Sequence, residues 1–250
     1  MAMSPAWTRA ASSGGGVAAA LVGLAAINAA PRLGLITPIG RRMLPSLVGI
    51  GRRGHTALTF DDGPDPRSTP WVLDALAAMD CRATFFLLGS MTRDAPHVAA
   101  TIAAAGHEVA VHGFEHRSTL WRTPRQLQTD IADALEVITE ATGRRPRWFR
   151  PPYGTLSAAG WYAAQKLNLR TVLWTACGRD WRADATGESI IADITRGVVD
   201  GGTVLLHDSD CTSTPGSWRS TLDALPVLVS ELRSRGLEVG PLNDHWVEPS

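Results

Sequence analysis

Cysteine is scarce in this chain of 250 residues, and an odd count of three argues against a disulfide scaffold. Cys81 is predicted to be a small core residue, whereas Cys177 and Cys211 each follow a predicted strand. We expect either three buried free thiols or a single Cys177–Cys211 bridge in an exported protein. Their spacing does not indicate a cysteine metal site.

Net charge is also absent, because 24 Lys and Arg residues balance 24 Asp and Glu residues. This balance argues against nucleic acid as a partner held by overall positive charge. Acidic residues are missing from the first 60 positions, which carry six arginines and no lysine. Residues 1–50 are therefore predicted to be a basic, apolar arm, and residues 51–245 a single domain with one large core.

The arm lacks an apolar run long enough to cross a bilayer. Residues 17–30 contain one polar side chain, Asn28. At 1.5 Å per residue this run falls short of a hydrocarbon core of about 30 Å. Its length suits a signal peptide or an interfacial anchor, so we expect an extracytoplasmic protein that is secreted or membrane-associated. A cytoplasmic arm packed on the domain is the alternative.

The rest of the chain alternates predicted strands and helices. Strands are predicted over residues 55–58, 83–88 and 171–176, around Val109 and Val111, and within residues 147–154 and 202–209. Helices are predicted over residues 69–79, 93–105, 123–142, 157–167, 186–199 and 217–235. This alternation predicts parallel βα units, for which a distorted (β/α) barrel is the fitting architecture. The carboxyl ends of the strands would then meet at one mouth.

Polar residues follow these predicted strands. Asp61 and Asp62 come at the end of the first strand, where Gly63 and Pro64 stop it. Two adjacent carboxylates at a bend can enter one pocket, one on a metal and the other near a reacting water. An ordinary Asp-Gly-Pro turn is the alternative for this segment taken alone.

A pair of histidines supplies the missing partners. His112 ends a Val-rich strand, and His116 follows four residues later. Zinc binds N and O ligands, and a catalytic site needs three protein ligands and an open position. The two histidines and one of the two carboxylates meet that count.

Five segments, taken in order, resemble the motifs of the polysaccharide deacetylases, the NodB-homology or carbohydrate esterase family 4 group. They are residues 59–64, His112 with His116, residues 150–153, Asp180 with Trp181, and residues 205–208. The resemblance spans about residues 55–240. It implies a distorted (β/α) barrel of the NodB type and a metal-dependent hydrolase of acetamide bonds.

The resemblance also implies roles for the individual residues. Asp62, His112 and His116 would hold a divalent cation, zinc in the first instance with cobalt, manganese or nickel as alternatives. Asp61 would be the general base that accepts a proton from water. Arg150 would pair with Asp61.

The remaining roles concern the leaving group and the substrate. His207 would be the general acid, oriented by Asp180, and the backbone N–H of Tyr153 would stabilise the oxyanion. The substrate pocket would be formed by Trp181, Leu205 and Pro151. Simple core packing is the alternative for Trp181 and Leu205.

One residue departs from the family pattern. Gly113 stands where the family has Ser or Thr after the first histidine, which leaves open how the loop is held.

The segment from His112 to His116 also matches the H-x-x-E-H pattern of inverzincin metalloproteases, with Glu115 as base. That motif needs a continuous helix and would leave the two aspartates without a role. A catalytically inactive carbohydrate-binding module would be expected to lose Asp61 or His207, and both are present.

The substrate follows from the resemblance only as a class. An N-acetylglucosamine polymer, either peptidoglycan or chitin-type, is the first expectation. A lipid-linked sugar that is deacetylated or deformylated at the membrane face is the second, and acetylxylan is the third. No protein partner is indicated.

Overall fold

A computed structural model describes residues 42–246, so the apolar run 17–30 and the start of the arm lie outside the described residues. The strands are β1 His55–Asp61, β2 Thr84–Leu87, β3 Glu108–Val111, β4 Trp148–Phe149, β5 Arg170–Thr171, β6 Ala176–Cys177, β7 Thr203–His207 and β8 Glu238–Gly240. The helices are α1 Thr69–Ala78, α2 Gly89–Asp94, α3 Pro96–Ala104, α4 Pro124–Thr142, α5 Ala158–Lys166, α6 Gly187–Gly197, α7 Trp218–Ser234 and α8 Leu242–His245. A 3₁₀ turn covers Pro152–Gly154.

The strands form one curled parallel sheet in the order β5-β4-β3-β2-β1-β7-β6, with β8 also paired to β1. This confirms the predicted (β/α) barrel of distorted type. Asp61 at the end of β1 is in register with His207 at the end of β7. Leu87 of β2 is in register with Val111, the residue before His112. The polar residues that follow these strands therefore meet at one edge of the sheet.

Two apolar layers hold this sheet in place. The larger packs the helices on its outer face, and α4 shows the pattern, since Leu127, Ile131, Leu135 and Ile138 recur at helical spacing and are buried. The predicted capping box is present, because Thr123 and Gln126 exchange hydrogen bonds at the start of α4. The smaller layer fills the inside of the curl and includes Phe86, Trp148 and Leu242.

The predicted helix 93–105 is wrong in one respect, because the structure contains two helices that meet at Ala95. This residue has φ −136° and ψ 58°, outside the helical region. Pro96 explains the break, since a proline disfavours helical geometry in the residue before it.

The predicted strand 171–176 is also wrong, because β5 ends at Thr171 and β6 begins at Ala176. The buried Arg150 accounts for the interruption. Its guanidinium donates hydrogen bonds to the carbonyl oxygens of Val172 and Leu173, which therefore turn away from a sheet ladder.

The described end of the predicted arm packs on the domain. Leu47 and Val48 are buried beside Leu156. The Thr203 hydroxyl donates to the Gly49 carbonyl at 2.7 Å, which ties this segment to β7. The boundary between arm and domain stays a prediction. Within residues 42–246 no helix combines the length and apolar character needed to cross a membrane.

The cysteines are free, so a Cys177–Cys211 bridge is not formed. Cys81 is buried as expected. Cys211 is exposed and Cys177 is partly buried, so the expectation of three buried thiols is wrong. Both residues lie on segments beside the mouth of the curl.

Candidate active site

A cavity of about 310 Å³ opens at the carboxyl edge of the sheet. It gathers most of the residues that the sequence motifs singled out. Its lining consists of Asp61, Asp62, His112, His116, Tyr153, Gly154, Trp174, Trp181, Leu205, His207, Thr212 and Ser213.

The two adjacent carboxylates diverge at the end of β1. Asp61 is the last residue of the strand, and Asp62 adopts a left-handed backbone with φ 78°. Non-glycine residues seldom adopt this conformation, and it costs about 1–3 kcal/mol that the surrounding structure must offset. Both side chains are buried, yet they contact different partners. The bend therefore gives two neighbouring aspartates two different environments.

Asp62 lies between the two histidines. Its Oδ1 atom is 3.3 Å from Nε2 of His112 and 3.3 Å from Nε2 of His116. One ligand atom from each of the three residues lies within 4.8 Å of the other two. Asp62 Oδ1 is buried and has no hydrogen-bond partner among the described residues. A divalent cation bound by two imidazoles and one carboxylate fits this donor set.

The orientation of His112 favours metal binding. Its Nδ1 is 2.8 Å from the carbonyl oxygen of Arg150. Because a carbonyl oxygen only accepts, Nδ1 carries a hydrogen, and Nε2 is the ring nitrogen that faces Asp62. Metal-binding histidines are commonly fixed by such a bond from the second ring nitrogen.

His116 is held in its neutral form. Burial, followed by the nearby His112, lowers the pKa of His116 to about 4. The Tyr153 ring packs edge-on at 4.2 Å between ring centroids. Burial alone would raise the pKa of Asp62, but its close contacts with His112, His207 and His116 outweigh burial and lower the pKa below its usual range. The site thus combines neutral imidazole with ionised carboxylate, the states that bind a metal.

The loop between the histidines is held by helix α4. Gly113 has φ 96°, and a Cβ at this position would lie 3.1 Å from Asp130 Oδ2. The same Asp130 oxygen accepts a hydrogen bond from the Phe114 backbone N–H at 3.0 Å. Arg122 pairs with the other oxygen of Asp130 at 2.8 Å. An acidic side chain from α4 therefore secures the loop in which glycine replaces the hydroxyl residue of the family pattern.

Asp61 forms a buried ion pair with Arg150. Arg150 Nη1 lies 2.7 Å from Asp61 Oδ1, and also donates to Thr59 Oγ1 at 2.8 Å. The guanidinium packs 4.0 Å above the Phe86 ring. Burial lowers the pKa of Arg150, while the Asp61 charge opposes that shift. Asp61 Oδ2, 3.7 Å from His112 Nε2, is left beside the cavity.

The carboxylate of Asp180 keeps the His207 ring protonated. Its Nδ1 is 2.8 Å from Asp180 Oδ1, while Asp180 Oδ2 accepts from the His207 backbone N–H at 2.7 Å and from the Thr221 hydroxyl at 2.8 Å. Burial opposes protonation, but the Asp180 charge and hydrogen bond outweigh it and raise the pKa of His207 to about 10. The imidazolium therefore carries its second proton on Nε2, at the cavity.

The predicted pocket residues separate into two groups. Trp181 packs edge-on against His207 at 5.4 Å between ring centroids, and Leu205 lines the cavity although it is 2% exposed. Pro151 is buried and is not among the residues that line this cavity, so its place in the substrate pocket stays a prediction. Its carbonyl instead accepts a hydrogen bond from Gly154 in the turn below the site. Tyr153 in the same turn has φ 58°, a second left-handed residue at the mouth.

The geometry excludes the inverzincin interpretation of residues 112–116. His112 follows a strand, and no helix covers this segment of the described chain. Glu115 is exposed and ion-paired with Arg117 at the surface. Asp61 at the end of β1 and Asp62 directly after it take the place that the motif would give to this glutamate.

Sequence reasoning missed several residues at the cavity. Trp174 and Gly154 line it, together with Thr212 and Ser213 from the loop between β7 and α7. Their position after a strand of the sheet is the signal that could have indicated them. Threonine and serine are too common in surface loops for that signal to single them out.

Comparison with known proteins finds the same family that the sequence motifs resemble. The sequence profile described as polysaccharide deacetylase matches residues 50–172. The chain is 36% identical over 183 residues to a peptidoglycan-N-acetylglucosamine deacetylase of Bacillus cereus, which covers 72% of this chain and 82% of that protein. It is 34% identical over 195 residues to a chitooligosaccharide deacetylase of Bradyrhizobium sp., covering 74% and 87%.

A solved structure shares the fold. The family 4 acetyl xylan esterase of Clostridium thermocellum, in complex with a cobalt ion, superposes with a TM-score of 0.69 at 32% identity. The match covers 76% of this chain and 89% of that chain.

Proposed function

This chain belongs to the polysaccharide deacetylase family, and we propose that it removes N-acetyl groups from an N-acetylglucosamine polymer, either peptidoglycan or a chitin-type chain. Two relatives with these substrates are more than 30% identical to it over most of its described length. Acetylxylan is a second candidate, because the similar esterase from Clostridium acts on that polymer.

The observation that carries the proposal is the contrast between two adjacent carboxylates. Asp62 has an unpartnered oxygen between two imidazole nitrogens, 3.3 Å from each. Asp61 instead pairs with a buried arginine and presents its second oxygen to the cavity. One carboxylate is thus suited to a cation and the other to a proton.

We assign the cation to Asp62, His112 and His116, with zinc as the proposed ion. When bound there, a divalent cation supplies a Lewis acid that polarises the acetamide carbonyl and activates water. Asp61 accepts the proton of the attacking water through Oδ2. Arg150 holds Asp61 in place through the buried ion pair at 2.7 Å.

His207 then serves the leaving group. The imidazolium donates its Nε2 proton to the departing sugar amine, while Asp180 stabilises the charge from the other side of the ring. The backbone N–H of Tyr153 is assigned to the developing oxyanion, since the turn at Pro152–Gly154 presents Tyr153 to the cavity. Leu205 and Trp181 offer apolar surface to the acetyl methyl group.

We further propose that the protein acts at the cell envelope. The support is compositional, since the basic arm contains the apolar run 17–30 and no acidic residue. Peptidoglycan as substrate would require the same location. A lipid-linked sugar, the runner-up from the sequence, would also be reached by a membrane-associated arm.

The test compares acetate release from peptidoglycan, chitooligosaccharides and acetylxylan by full-length protein, with and without chelator. We expect release from the first two substrates, its loss on chelation and its return with zinc or cobalt. Asp61→Asn should keep near wild-type metal content while turnover falls by ~10²–10⁴-fold, the usual contribution of a general base. Asp62→Asn should lose metal as well. Full activity without metal, or equal metal loss in both variants, would refute these assignments.

A further inference from the structure

The loop between β7 and α7 reaches a proposed metal ligand. Thr212 donates a hydrogen bond from its hydroxyl to Asp62 Oδ2 at 2.6 Å. This contact joins residues 150 positions apart in the chain. It uses the carboxylate oxygen that does not face the histidines, since Oδ1 is the atom 3.3 Å from both imidazoles.

The loop is anchored so that this hydroxyl has a defined position. Asp210 Oδ2 accepts from the Gly216 backbone N–H at 2.6 Å, and Asp210 Oδ1 pairs with Arg67 at 2.8 Å. The Cys211 backbone N–H donates to Ser209 Oγ at 3.1 Å. These bonds lie on both sides of Thr212, so the position of its hydroxyl is set by the loop rather than by its own side chain alone.

From this geometry we infer that Thr212 is a positioning residue for the metal, acting through Asp62. An ionised carboxylate can bind a cation through one oxygen or both. With Oδ2 engaged by the hydroxyl, Asp62 offers Oδ1 alone, aimed between His112 and His116. Groups that orient a metal ligand in this way typically contribute about 10–100-fold to metal affinity.

The inference rests on the proposed metal site and concerns a residue outside the family motifs. It differs from a substrate-binding role for Thr212, which also lines the cavity. A substrate contact would change KM without changing metal affinity. A positioning role changes the affinity of the protein for the ion when no substrate is present.

The experiment measures the zinc dissociation constant of the full-length protein by competition with a chromophoric chelator. The variants are Thr212→Val, which keeps the side-chain shape, Thr212→Ala as a second deletion of the hydroxyl, and Thr212→Ser, which restores it. Thr214→Val is the matched control, since this residue lies in the same loop and is not among the cavity-lining residues. The visible spectrum of the cobalt form and the unfolding temperature of the metal-free form are recorded for each protein.

We expect Thr212→Val and Thr212→Ala to bind zinc about 10–100-fold more weakly and to shift the cobalt spectrum. Thr212→Ser and Thr214→Val should stay close to wild type. Zinc affinity within twofold of wild type in both hydroxyl deletions, or a change in KM alone, would overturn the inference. If wild type itself binds neither zinc nor cobalt, the proposed function fails at an earlier step, and the two failures are thereby distinguished.

Discussion

Replacing Asp180 with asparagine should remove the acidic proton from His207 at neutral pH. In the native site Asp180 Oδ2 accepts two hydrogen bonds and Oδ1 faces His207 Nδ1. In the variant, the amide oxygen of asparagine would occupy the position of Oδ2, because the two donors there, the His207 backbone N–H and the Thr221 hydroxyl, stay in place. Its NH₂ group would then face Nδ1 and donate to it, so that the imidazole could no longer be protonated at that atom.

The expected magnitude follows from the pKa of His207, which stands at about 10 against an ordinary 6.5. Burial lowers this pKa and Asp180 raises it, so the ion pair determines the direction of the pKa shift. At 1.36 kcal/mol per pKa unit, the gap corresponds to roughly 5 kcal/mol of preference for the charged ring. The His207 side chain is 14% exposed, so solvent screens little of this interaction.

The sign of the pH dependence is determined by the raised pKa. Because the folded state holds the proton more tightly, this contribution is complete below pH 6.5 and is lost as pH rises through about 10. Metal-free native protein should therefore lose stability over this range, and Asp180→Asn should not show that loss.

Two measurements test the prediction, namely thermal unfolding of the chelated protein between pH 6 and 10 and the pH profile of kcat/KM for the zinc form. We expect the alkaline limb of the Asp180→Asn profile to move to lower pH, with activity lower by about 10²–10⁴-fold, the usual worth of a general acid. Thr221→Val is the control, since it removes one hydrogen bond to Asp180 and leaves the pair with His207 in place. An unchanged alkaline limb in Asp180→Asn would refute the assignment of His207.

Two further predictions concern the loop and the arm. Gly113→Ser, which restores the family residue, should destabilise the protein by about 1–3 kcal/mol through its left-handed backbone, and by more than Gly143→Ser does in urea unfolding. Gly143 also has a left-handed backbone, but its Cβ would meet no atom within 4 Å, whereas that of Gly113 would meet Asp130. Greater stability of Gly113→Ser would contradict this. Removing residues 1–41 should leave a soluble domain that still hydrolyses small acetylated sugars, while the full chain sediments with anionic vesicles. Aggregation of the truncated protein, with no vesicle binding by the full chain, would contradict the proposed envelope location.

The residues that sequence could place are those at strand ends. Asp61, His112 and His207 each follow a β-branched or apolar run, and parallel pairing brings such positions to one edge of a sheet. Local pattern and topology together were therefore sufficient to predict that these three residues share one cavity. The capping box of α4 was equally accessible, because its two partners lie three residues apart.

The sequence could not predict contacts between loops, because strand pairing does not constrain the positions of loops. The hydroxyl of Thr212 reaches Asp62, and the carboxylate of Asp130 reaches the loop between the histidines, each from a segment without a motif. The break after Thr171 has a similar origin, because the carbonyls there are taken by Arg150, a residue from another strand end. A propensity scale contains no information about a partner more than 20 residues away.

The adjacent aspartates show how such distant partners decide chemistry. Asp61 and Asp62 are identical in type and both buried, so neither composition nor burial distinguishes a base from a ligand. The distinction comes from what surrounds them. A guanidinium occupies one oxygen of Asp61, and a hydroxyl occupies one oxygen of Asp62. The second oxygen of Asp61, Oδ2, faces the cavity beside the His112 imidazole. The second oxygen of Asp62, Oδ1, lies between the imidazoles of His112 and His116. Exchanging the two proposed roles would require moving Arg150 and Thr212, so the difference between the two carboxylates is a property of the fold around them.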